Sequence, residues 1–495
     1  MCLTTPRARV ERSKSLVPAY STSNVLQNED SISRTVELLL GWMDKYAEER
    51  KPMHLSDYFS FVAFDNVGET LFSKSYGFTE QGIDIQGVIA RNGKLSIYAS
   101  CAGYFRWFHN LLANPLTTGL AILPTGFIFD RTMSIIEERL NNEDARYDIM
   151  AHWLKQKKEG RLTTRDIQAQ ATATTAAGGD TVSAALQSFV YHMIRLPGAW
   201  ERARAEIDTA RAELGICGDR VISYADSQKL RYVQACIKET LRIFPPVPMG
   251  LSRVVTKYGI TIGDRSFPPG TSLSISIPVI HHSKEIWGPD ASVFNPDRWL
   301  SEKSGDLERF YIPFGTGYNT CSGQHVGKIE LSKIIPTIIR DYDIRQVDPK
   351  QEWKMAYDDR LSLTFGRGDR DSPLPPAPED KTSNLAGSPE DARRDFNSWD
   401  SWNNGPRRRS SRDVIPDVAA PFAQNDKLTP GGGGRRSRGI CDLRGRGPAD
   451  PVGSPRKNFQ ADGAKYCGWN PQNSEMLAHC IFIWENPKED PRMLH

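Results

Sequence analysis

The sequence predicts a mainly α-helical body with small β-sheets, followed by a disordered C-terminal tail. Apolar residues recur at the 3.6-residue spacing of helices in several stretches between residues 33 and 214. Short strand-like runs follow between residues 259 and 279, where the pair Gly263-Asp264 is typical of a tight hairpin turn. After Phe365 the composition changes to Pro, Gly, Ser and Arg. We therefore divide the chain into a body, residues 1–365, and a tail, residues 366–495.

The tail is predicted to be disordered because its composition cannot bury enough apolar surface to offset the entropy of ordering. The cluster Arg407-Arg408-Arg409 within it fits a nuclear signal or a nucleic-acid patch. A solvated basic tail is the simpler interpretation. The net charge of +3 is small for 495 residues, so we expect no nucleic-acid partner.

Cysteine usage and hydropathy limit the class of protein further. The eight cysteines include no C-x-x-C pair, which argues against a disulfide framework and a zinc knuckle and favours a reducing compartment. No run reaches the ~18 apolar residues needed to span a bilayer. The closest run, Leu111 to Phe129, is broken by two prolines. It could contact a membrane surface or belong to the core, so membrane contact stays open.

The stretch FGTGYNTCSG sets Cys321 in a glycine-rich frame. Gly315 and Gly317 permit backbone conformations that are closed to other residues. An apolar pattern at helical spacing follows, so we expect Cys321 at a helix N-terminus, where the dipole and free N–H groups stabilise a thiolate. Gly323 leaves room for a flat group, and Phe314 can shield the sulfur. A phosphate loop or a buried structural cysteine explains less of this pattern, which favours haem iron with an axial cysteine.

The pattern F-G-x-G-x-x-x-C-x-G resembles the haem-binding loop of the cytochrome P-450 family, the haem-thiolate monooxygenases. The resemblance implies the cytochrome P-450 fold, haem b as cofactor and Cys321 as the axial ligand of its iron. It extends to three further motifs, which occur in the family's order. The stretches GYNTC and IRDYDIRQVDP are similar to fungal members of the pisatin demethylase and benzoate 4-hydroxylase groups.

A long helix is predicted around the stretch AAGGDT. It opens with a capping box at Thr163 and Asp166 and closes before Pro197. Gly178 and Gly179 lie near its middle, at a cost of roughly 2 kcal/mol relative to alanine. A close crossing with another helix would explain the two glycines by itself.

The same stretch resembles the oxygen-binding pattern on the family's long central helix, which widens locally there. By this resemblance Thr181 would hydrogen-bond dioxygen at the haem. Asp180 would supply protons through water. Both are therefore candidate catalytic residues.

The stretch KETLRIFPPVP places Glu239 and Arg242 on one face of a helix. An isolated pair of this kind is usually a surface ion pair worth under ~1 kcal/mol. It resembles the family's E-x-x-R motif, and Arg298 in FNPDRWL matches the family's third partner. The resemblance implies a structural triad that supports the cysteine loop and performs no chemistry.

Arg253 resembles the family position that pairs with a haem propionate, and residues 247–251 would then border the substrate pocket. His281 and His282 invite a metal site. Adjacent residues in a strand point to opposite faces, and the sequence offers no third ligand nearby. We therefore interpret both histidines as structural.

The chain also departs from the family. Nothing before the stretch SKSLVPAYS resembles the family's membrane anchor and N-terminal β-domain, so we expect these to be missing. Arg9, Arg12 and Lys14 stand in for the family's Trp-x-x-x-Arg contact to a propionate. Asn319 occupies a position where many members have a basic propionate partner.

Three hypotheses follow. The first is a monooxygenase that takes electrons from NADPH through a reductase and inserts one oxygen atom into an apolar small molecule of fungal secondary metabolism. The second is a non-catalytic relic, or an incomplete gene model, with impaired haem binding. The third is an interaction protein that uses the Arg-rich tail. The family is typically held at the endoplasmic-reticulum membrane; without an anchor we expect a cytoplasmic or peripheral protein.

Overall fold

The structure, a computed structural model, describes residues 6–104, 126–141, 147–353, 362–367 and 481–484. Its α-helices are α1 (Pro6–Leu16), α2 (Thr22–Val25), α3 (Glu29–Glu48), α4 (Leu55–Phe72), α5 (Phe78–Gln81), α6 (Val88–Tyr104), α7 (Gly126–Asn141), α8 (Ile149–Lys158), α9 (Thr164–Arg195), α10 (Ala199–Leu214), α11 (Tyr224–Ser227), α12 (Arg231–Ile243), α13 (Ile277–His281), α14 (Lys284–Trp287), α15 (Ser304–Glu308) and α16 (Gln324–Asp341). Its strands are β1 (Met53–His54), β2 (Arg253–Val254), β3 (Ile260–Ile262), β4 (Arg265–Phe267), β5 (Ser272–Ile275), β6 (Tyr342–Gln346), β7 (Ser362–Arg367) and β8 (Ile481–Trp484). The predicted mainly α fold with small sheets is confirmed.

The longest helix, α9, lies in the core against α4, α7, α12 and α16. Its start is fixed by a reciprocal cap. The Thr163 hydroxyl accepts the N–H of Asp166 at 3.1 Å, and the Asp166 carboxylate accepts the N–H of Thr163 at 2.8 Å. The helix ends at Arg195, two residues before Pro197, so both predicted ends are confirmed.

Helix α16 follows the cysteine loop and is anchored by a buried apolar face. Fully burying an aliphatic side chain stabilises a fold by about 1.5–3 kcal/mol. Five such side chains, each no more than 3% exposed, project from this helix: Ile329, Leu331, Ile334, Ile335 and Ile338. Because this face of α16 is packed into the core, the start of the helix, next to the candidate site, has little freedom to move.

The described strands form three small antiparallel sheets, with strand orders β1-β7-β6, β2-β5-β8 and β3-β4. The β3-β4 hairpin turns at the predicted Gly263-Asp264 pair, where Gly263 has a φ of 62°. The second sheet takes one short strand from the C-terminal region, because β8 pairs with β5 from Ile275↔Ile481 to Ser272↔Trp484. Four apolar and aromatic residues favour a strand wherever a free sheet edge is within reach.

Strand β7 runs through Arg367, two residues past the predicted end of the body. The tail between residues 368 and 480, with its Arg407-Arg408-Arg409 cluster, lies outside the described residues. So do residues 111–125 of the apolar stretch considered for membrane contact. Within the described ranges no helix is both long and apolar enough to cross a bilayer.

Glu330 on α16 is a charged residue type in a fully buried position. It is 0% exposed, and its one described hydrogen bond comes from Asn66 Nδ2 at 3.5 Å. Its Oε1 has no partner among the described residues. Burial raises the pKa of Glu330 to about 8, and the bond from Asn66 lowers it only in part. A pKa of about 8 favours the protonated form of Glu330 in the folded protein at neutral pH.

We expect Glu330→Gln to flatten the pH dependence of stability. Below the usual glutamate pKa of 4.5 both states hold the proton. As pH rises from there to about 8, the unfolded state loses its proton while the folded state keeps it. The free energy of unfolding of the native chain should therefore fall relative to the variant by about 1.4 kcal/mol per pH unit. Urea titrations of both proteins across this window measure the difference; two parallel stability curves would contradict it.

Candidate functional site

The backbone around Cys321 is a closed loop shaped by two glycines. The N–H of Cys321 donates to the carbonyl of Phe314 at 2.9 Å, and the N–H of Gly315 donates to the carbonyl of Ile312 at 2.9 Å. Gly315 and Gly317 have φ values of 71° and 69°, in the left-handed region that side chains disfavour. Their predicted backbone role is thus confirmed.

The sulfur of Cys321 faces the start of α16. Gly323 is the N-cap residue of that helix, and a Cβ built on it would lie 3.9 Å from Sγ. The N–H groups of Gly323 and Gln324 donate to the sulfur and lower the pKa of the thiol, but burial raises it by more. The two N–H donors thus act in the expected direction, and burial opposes them. Although Cys321 reaches the surface, the loop removes enough water to offset two N–H donors.

Two other cysteine side chains are described, and both differ from Cys321. Cys217 and Cys236 are buried, whereas Cys321 is exposed. Burial raises the pKa of Cys217 to about 11 and that of Cys236 further. Neither thiol is suited to bind an external group. Among the described cysteines, the glycine frame thus marks the one that is accessible.

Glu239, Arg242 and Arg298 meet in the structure as the sequence predicted. Arg242 donates to both carboxylate oxygens of Glu239, at 2.8 and 2.9 Å, and Arg298 Nε donates to Oε1 at 3.0 Å. The Glu239 and Arg242 side chains are 0% exposed. Sequence analysis missed two further donors to the same carboxylate, the Trp299 indole at 2.9 Å and the N–H of Asn295 at 2.9 Å. The cluster is therefore a buried and fully bonded network, not a surface pair.

A bonded path joins this cluster to the cysteine loop through His281. The His281 ring bonds the carbonyl of Arg242 through Nδ1 at 3.0 Å and accepts the N–H of Ile312 through Nε2 at 3.0 Å. Because Nε2 accepts, Nδ1 carries the proton and donates. Ile312 then receives the N–H of Gly315. The His281 imidazole is thus hydrogen-bonded both to the helix that carries the E-x-x-R motif and to the segment that leads into the cysteine loop.

The two histidines are structural, as predicted, but their placement was predicted wrongly. They lie at the end of α13, where His281 is the last helical residue, and not in a strand. Pro278 in the first turn is the sequence signal for this helix. His282 bonds the carbonyl of Ile243 at 3.0 Å. No group of three metal-ligating side chains occurs in the described ranges.

The paired glycines of α9 let helix α4 approach. A Cβ on Gly178 would lie 2.5 Å from Cγ2 of Val67, and one on Gly179 would lie 2.3 Å from the Phe64 ring. Such distances exclude any side chain at these positions unless Val67 and Phe64 move. The helix crossing considered above therefore accounts for both glycines. The helix is α-helical throughout, from Thr164 to Arg195, without the local widening that the resemblance implies.

Asp180 and Thr181 follow those glycines and have different partners. The Thr181 hydroxyl donates to the carbonyl of Ala177 at 2.9 Å, within its own helix. The Asp180 carboxylate accepts from Asn92 at 2.7 Å and Ser96 at 3.2 Å, both on α6. Burial raises the pKa of Asp180 to about 6, although both hydrogen bonds lower it. Nothing near Asp180 in the sequence signals these partners.

Helices α9 and α16 bring the two predicted motifs close. Val182, the residue after Thr181, has its Cγ2 3.7 Å from where a Cβ on Gly327 would lie. Gly327 is six residues after Cys321, in the first turn of α16. The stretch AAGGDT and the helix that follows the cysteine loop are therefore neighbours across one helix contact.

The cationic residues predicted near a propionate differ in what they contact. Arg253 is exposed and bonds only the carbonyls of residues 251 and 252 among the described residues. Arg12 pairs with Asp166 at 2.9 Å and Lys14 with Glu11 at 2.9 Å. Nε of Arg9 and Oδ1 of Asn319 have no partner in the described ranges. Among the described residues Arg253 thus pairs with no carboxylate and Arg9 keeps a buried Nε without a partner, whereas Arg12 and Lys14 are already engaged.

Comparison with known proteins agrees with the family resemblance. The cytochrome P-450 family model matches residues 2–365. A cytochrome P-450 monooxygenase of Aspergillus terreus is 31% identical over 352 residues, covering 68% of this chain and 70% of that protein. The cytochrome P-450 monooxygenase cicH of Emericella nidulans is 29% identical over 347 residues, covering 68% of this chain and 69% of that protein.

Further relatives agree with the predicted subgroup and fold. A pisatin demethylase of Fusarium vanettenii is 29% identical over 353 residues, covering 69% of this chain and 68% of that protein. A crystal structure of a cytochrome P-450 superposes with a TM-score of 0.61 at 20% identity, covering 74% of this chain and 83% of that one. At that identity the likeness concerns the fold alone. The chain belongs to the cytochrome P-450 family, the haem-thiolate monooxygenases.

Proposed function

We propose that this chain binds haem b through Cys321 and inserts one oxygen atom from dioxygen into an apolar small molecule. The observation that carries the proposal is the surroundings of the sulfur. Cys321 is an exposed thiol that accepts two backbone N–H groups at the start of a buried helix. A thiolate ligand held by backbone donors is suited to a redox-active iron.

The residues around Cys321 fit a haem. Gly323 presents no side chain beside the sulfur, and a cation at the sulfur would reverse the effect of burial on the thiol, since a coordinating thiol is deprotonated. The Phe314 ring lies in the same loop and is partly buried against the core. Arg253 and Arg9 would supply positive charge for the two propionates, whose burial without partners would be costly. Bound haem supplies the activation of dioxygen that amino-acid side chains cannot provide.

Asp180 and Thr181 are the groups that would handle protons. A carboxyl with a pKa of about 6 is populated in both protonation states near neutral pH, so Asp180 can accept and release a proton. The Thr181 hydroxyl retains acceptor capacity while it donates to the Ala177 carbonyl. Glu239, Arg242 and Arg298 would hold the loop and touch neither substrate nor cofactor.

Apolar side chains at the surface support an apolar substrate. Val247 is 39% exposed and Leu251 is 59% exposed, in the segment that the resemblance assigns to the pocket border. We infer that the substrate is a small apolar compound of secondary metabolism, in line with the fungal relatives. We also infer, from the family, that electrons come from NADPH through a separate reductase.

A carbon-monoxide difference spectrum of the reduced, haem-loaded protein tests the proposal. Thiolate-ligated haem gives a Soret band shifted to the red of the band given by neutral ligands. We expect the red-shifted band in stoichiometric amount with protein. Its absence in a folded, haem-supplemented sample would rule out the proposed ligand.

We expect Thr181→Ala to lower the product formed per NADPH consumed by about 100-fold, with haem content unchanged. The variant removes a positioned proton-transfer group, and such groups typically contribute 10²–10⁴-fold. Thr172→Ala is the matched control, because its hydroxyl makes the same bond to its own helix, at 2.9 Å to the carbonyl of Gln168. Equal coupling in the two variants would remove Thr181 from the proposed mechanism.

A further inference from the structure

Helices α6 and α9 are joined by a polar contact at Asp180. The Asn92 amide donates to Asp180 Oδ2 at 2.7 Å and to the carbonyl of Ala176 at 2.9 Å. Ser96 donates to the same carboxylate oxygen at 3.2 Å. Asn92 and Ser96 are four residues apart, so they lie on one face of α6. That face is therefore built around the Asp180 side chain.

The orientation of the Asn92 amide is fixed by its partners. Both hydrogens of Nδ2 are used, one by a carbonyl and one by a carboxylate. A flipped amide would place Oδ1 against these two acceptors. Asn92 is 1% exposed, and its Oδ1 has no donor in the described ranges. The described hydrogen bonds of the Asn92 side chain are therefore the two that its amide donates.

The two hydrogen bonds that Asn92 donates reach both ends of one turn of α9, at Ala176 and at Asp180. In an α-helix the N–H of Asp180 donates to the carbonyl of Ala176, the same carbonyl that accepts from Asn92. Asn92 thus donates to the Asp180 side chain and also to the Ala176 carbonyl, which accepts the backbone N–H of Asp180. Rotation of the Asp180 carboxylate away from α6 breaks one of the two bonds that Asn92 donates, and movement of α6 breaks both.

We propose that Asn92 is a positioning residue for Asp180, tying its carboxylate to α6 and thereby making proton delivery depend on where α6 lies. The inference rests on the proposed function, and Asn92 and Ser96 lie outside the stretch AAGGDT. The two hydrogen bonds from α6 also lower the pKa of Asp180 against the effect of burial. Loss of Asn92 would therefore leave the carboxyl both less fixed and harder to ionise.

Hydrogen–deuterium exchange of the full chain measures how firmly Asn92 holds α6 against α9, and it does not require catalytic turnover. We expect Asn92→Ala to speed exchange of the amides of α6 by about tenfold, since a hydrogen bond to a charged group contributes enough for such a factor. Asp180→Asn keeps an oxygen acceptor for Asn92, so its exchange should stay close to that of the native chain. Lys94→Ala, at an exposed position on the same helix, is the control and should change nothing.

Product formed per NADPH consumed by the haem-loaded protein measures the consequence. We expect Asn92→Ala to lower it severalfold, and Asp180→Asn to lower it further while keeping the tie. Unchanged exchange in Asn92→Ala would overturn the inference alone. Faster exchange with unchanged coupling would show that the bond is merely structural and would also overturn it. Loss of the red-shifted carbon-monoxide band in the native chain would instead overturn the proposed function on which the inference rests.

Discussion

Cys321→Ser is expected to eliminate the red-shifted carbon-monoxide band and product formation together, while the protein stays folded. A serine hydroxyl does not ionise at neutral pH and is a poor ligand for haem iron, so no oxygen ligand replaces the thiolate. The loop should survive, because its closing bond joins the backbone N–H of residue 321 to the Phe314 carbonyl. The free energy of unfolding should change by less than about 0.5 kcal/mol, as for other surface positions.

Cys217→Ala and Cys236→Ala are the controls for this experiment. Both side chains are buried and free, so each variant removes a thiol without touching the loop. We expect full spectral amplitude from each, with stability lowered through lost packing. A spectrum that survives Cys321→Ser and disappears in either control would move the ligand to another cysteine.

The sequence predicted those parts of the molecule whose signals lie close together along the chain. The start of α9 follows from Thr163 and Asp166, which are three residues apart and satisfy each other's backbone. The cysteine loop follows from glycines that adopt positive φ. The E-x-x-R cluster follows from two residues on one helical turn and a motif that names the third. In each case the local pattern carries the physical reason.

The features that the sequence did not predict depend on contacts between distant segments. Asn92 and Asp180 are 88 residues apart, and no local pattern pairs them. The crossing at Gly178 needs Val67, whose approach is decided by how α4 packs. The pKa of the Cys321 thiol depends on N–H donors that the sequence shows and on the burial in the folded loop, which the sequence does not show. Burial is a property of the whole fold, so it is the least predictable factor at the site.

Arg242→Ala is expected to have the largest effect on stability, costing about 3–5 kcal/mol of the free energy of unfolding. All five guanidinium N–H groups of Arg242 have an acceptor. Two donate to Glu239, and the others donate to the carbonyls of His281, Ala291 and Val293. Alanine removes all five bonds at once, so the buried carbonyls lose this donor and the charged Glu239 carboxylate loses its bidentate partner while keeping Arg298, Trp299 and Asn295. Since domains are typically stable by about 5–15 kcal/mol, the variant should be poorly soluble and retain little haem.

Two further variants keep this prediction testable where the alanine variant fails to fold. Arg242→Lys retains the charge but not the five-donor geometry, so it should fold with an intermediate loss of stability. Arg231→Ala, at an exposed position on the same helix, should change stability by less than about 0.5 kcal/mol. Urea unfolding and haem content are measured for all three proteins. Because the cluster reaches the loop through His281 and Ile312, haem retention should fall in the same order as stability. A soluble, haem-loaded Arg242→Ala protein with altered products would show instead that Arg242 acts on substrate choice.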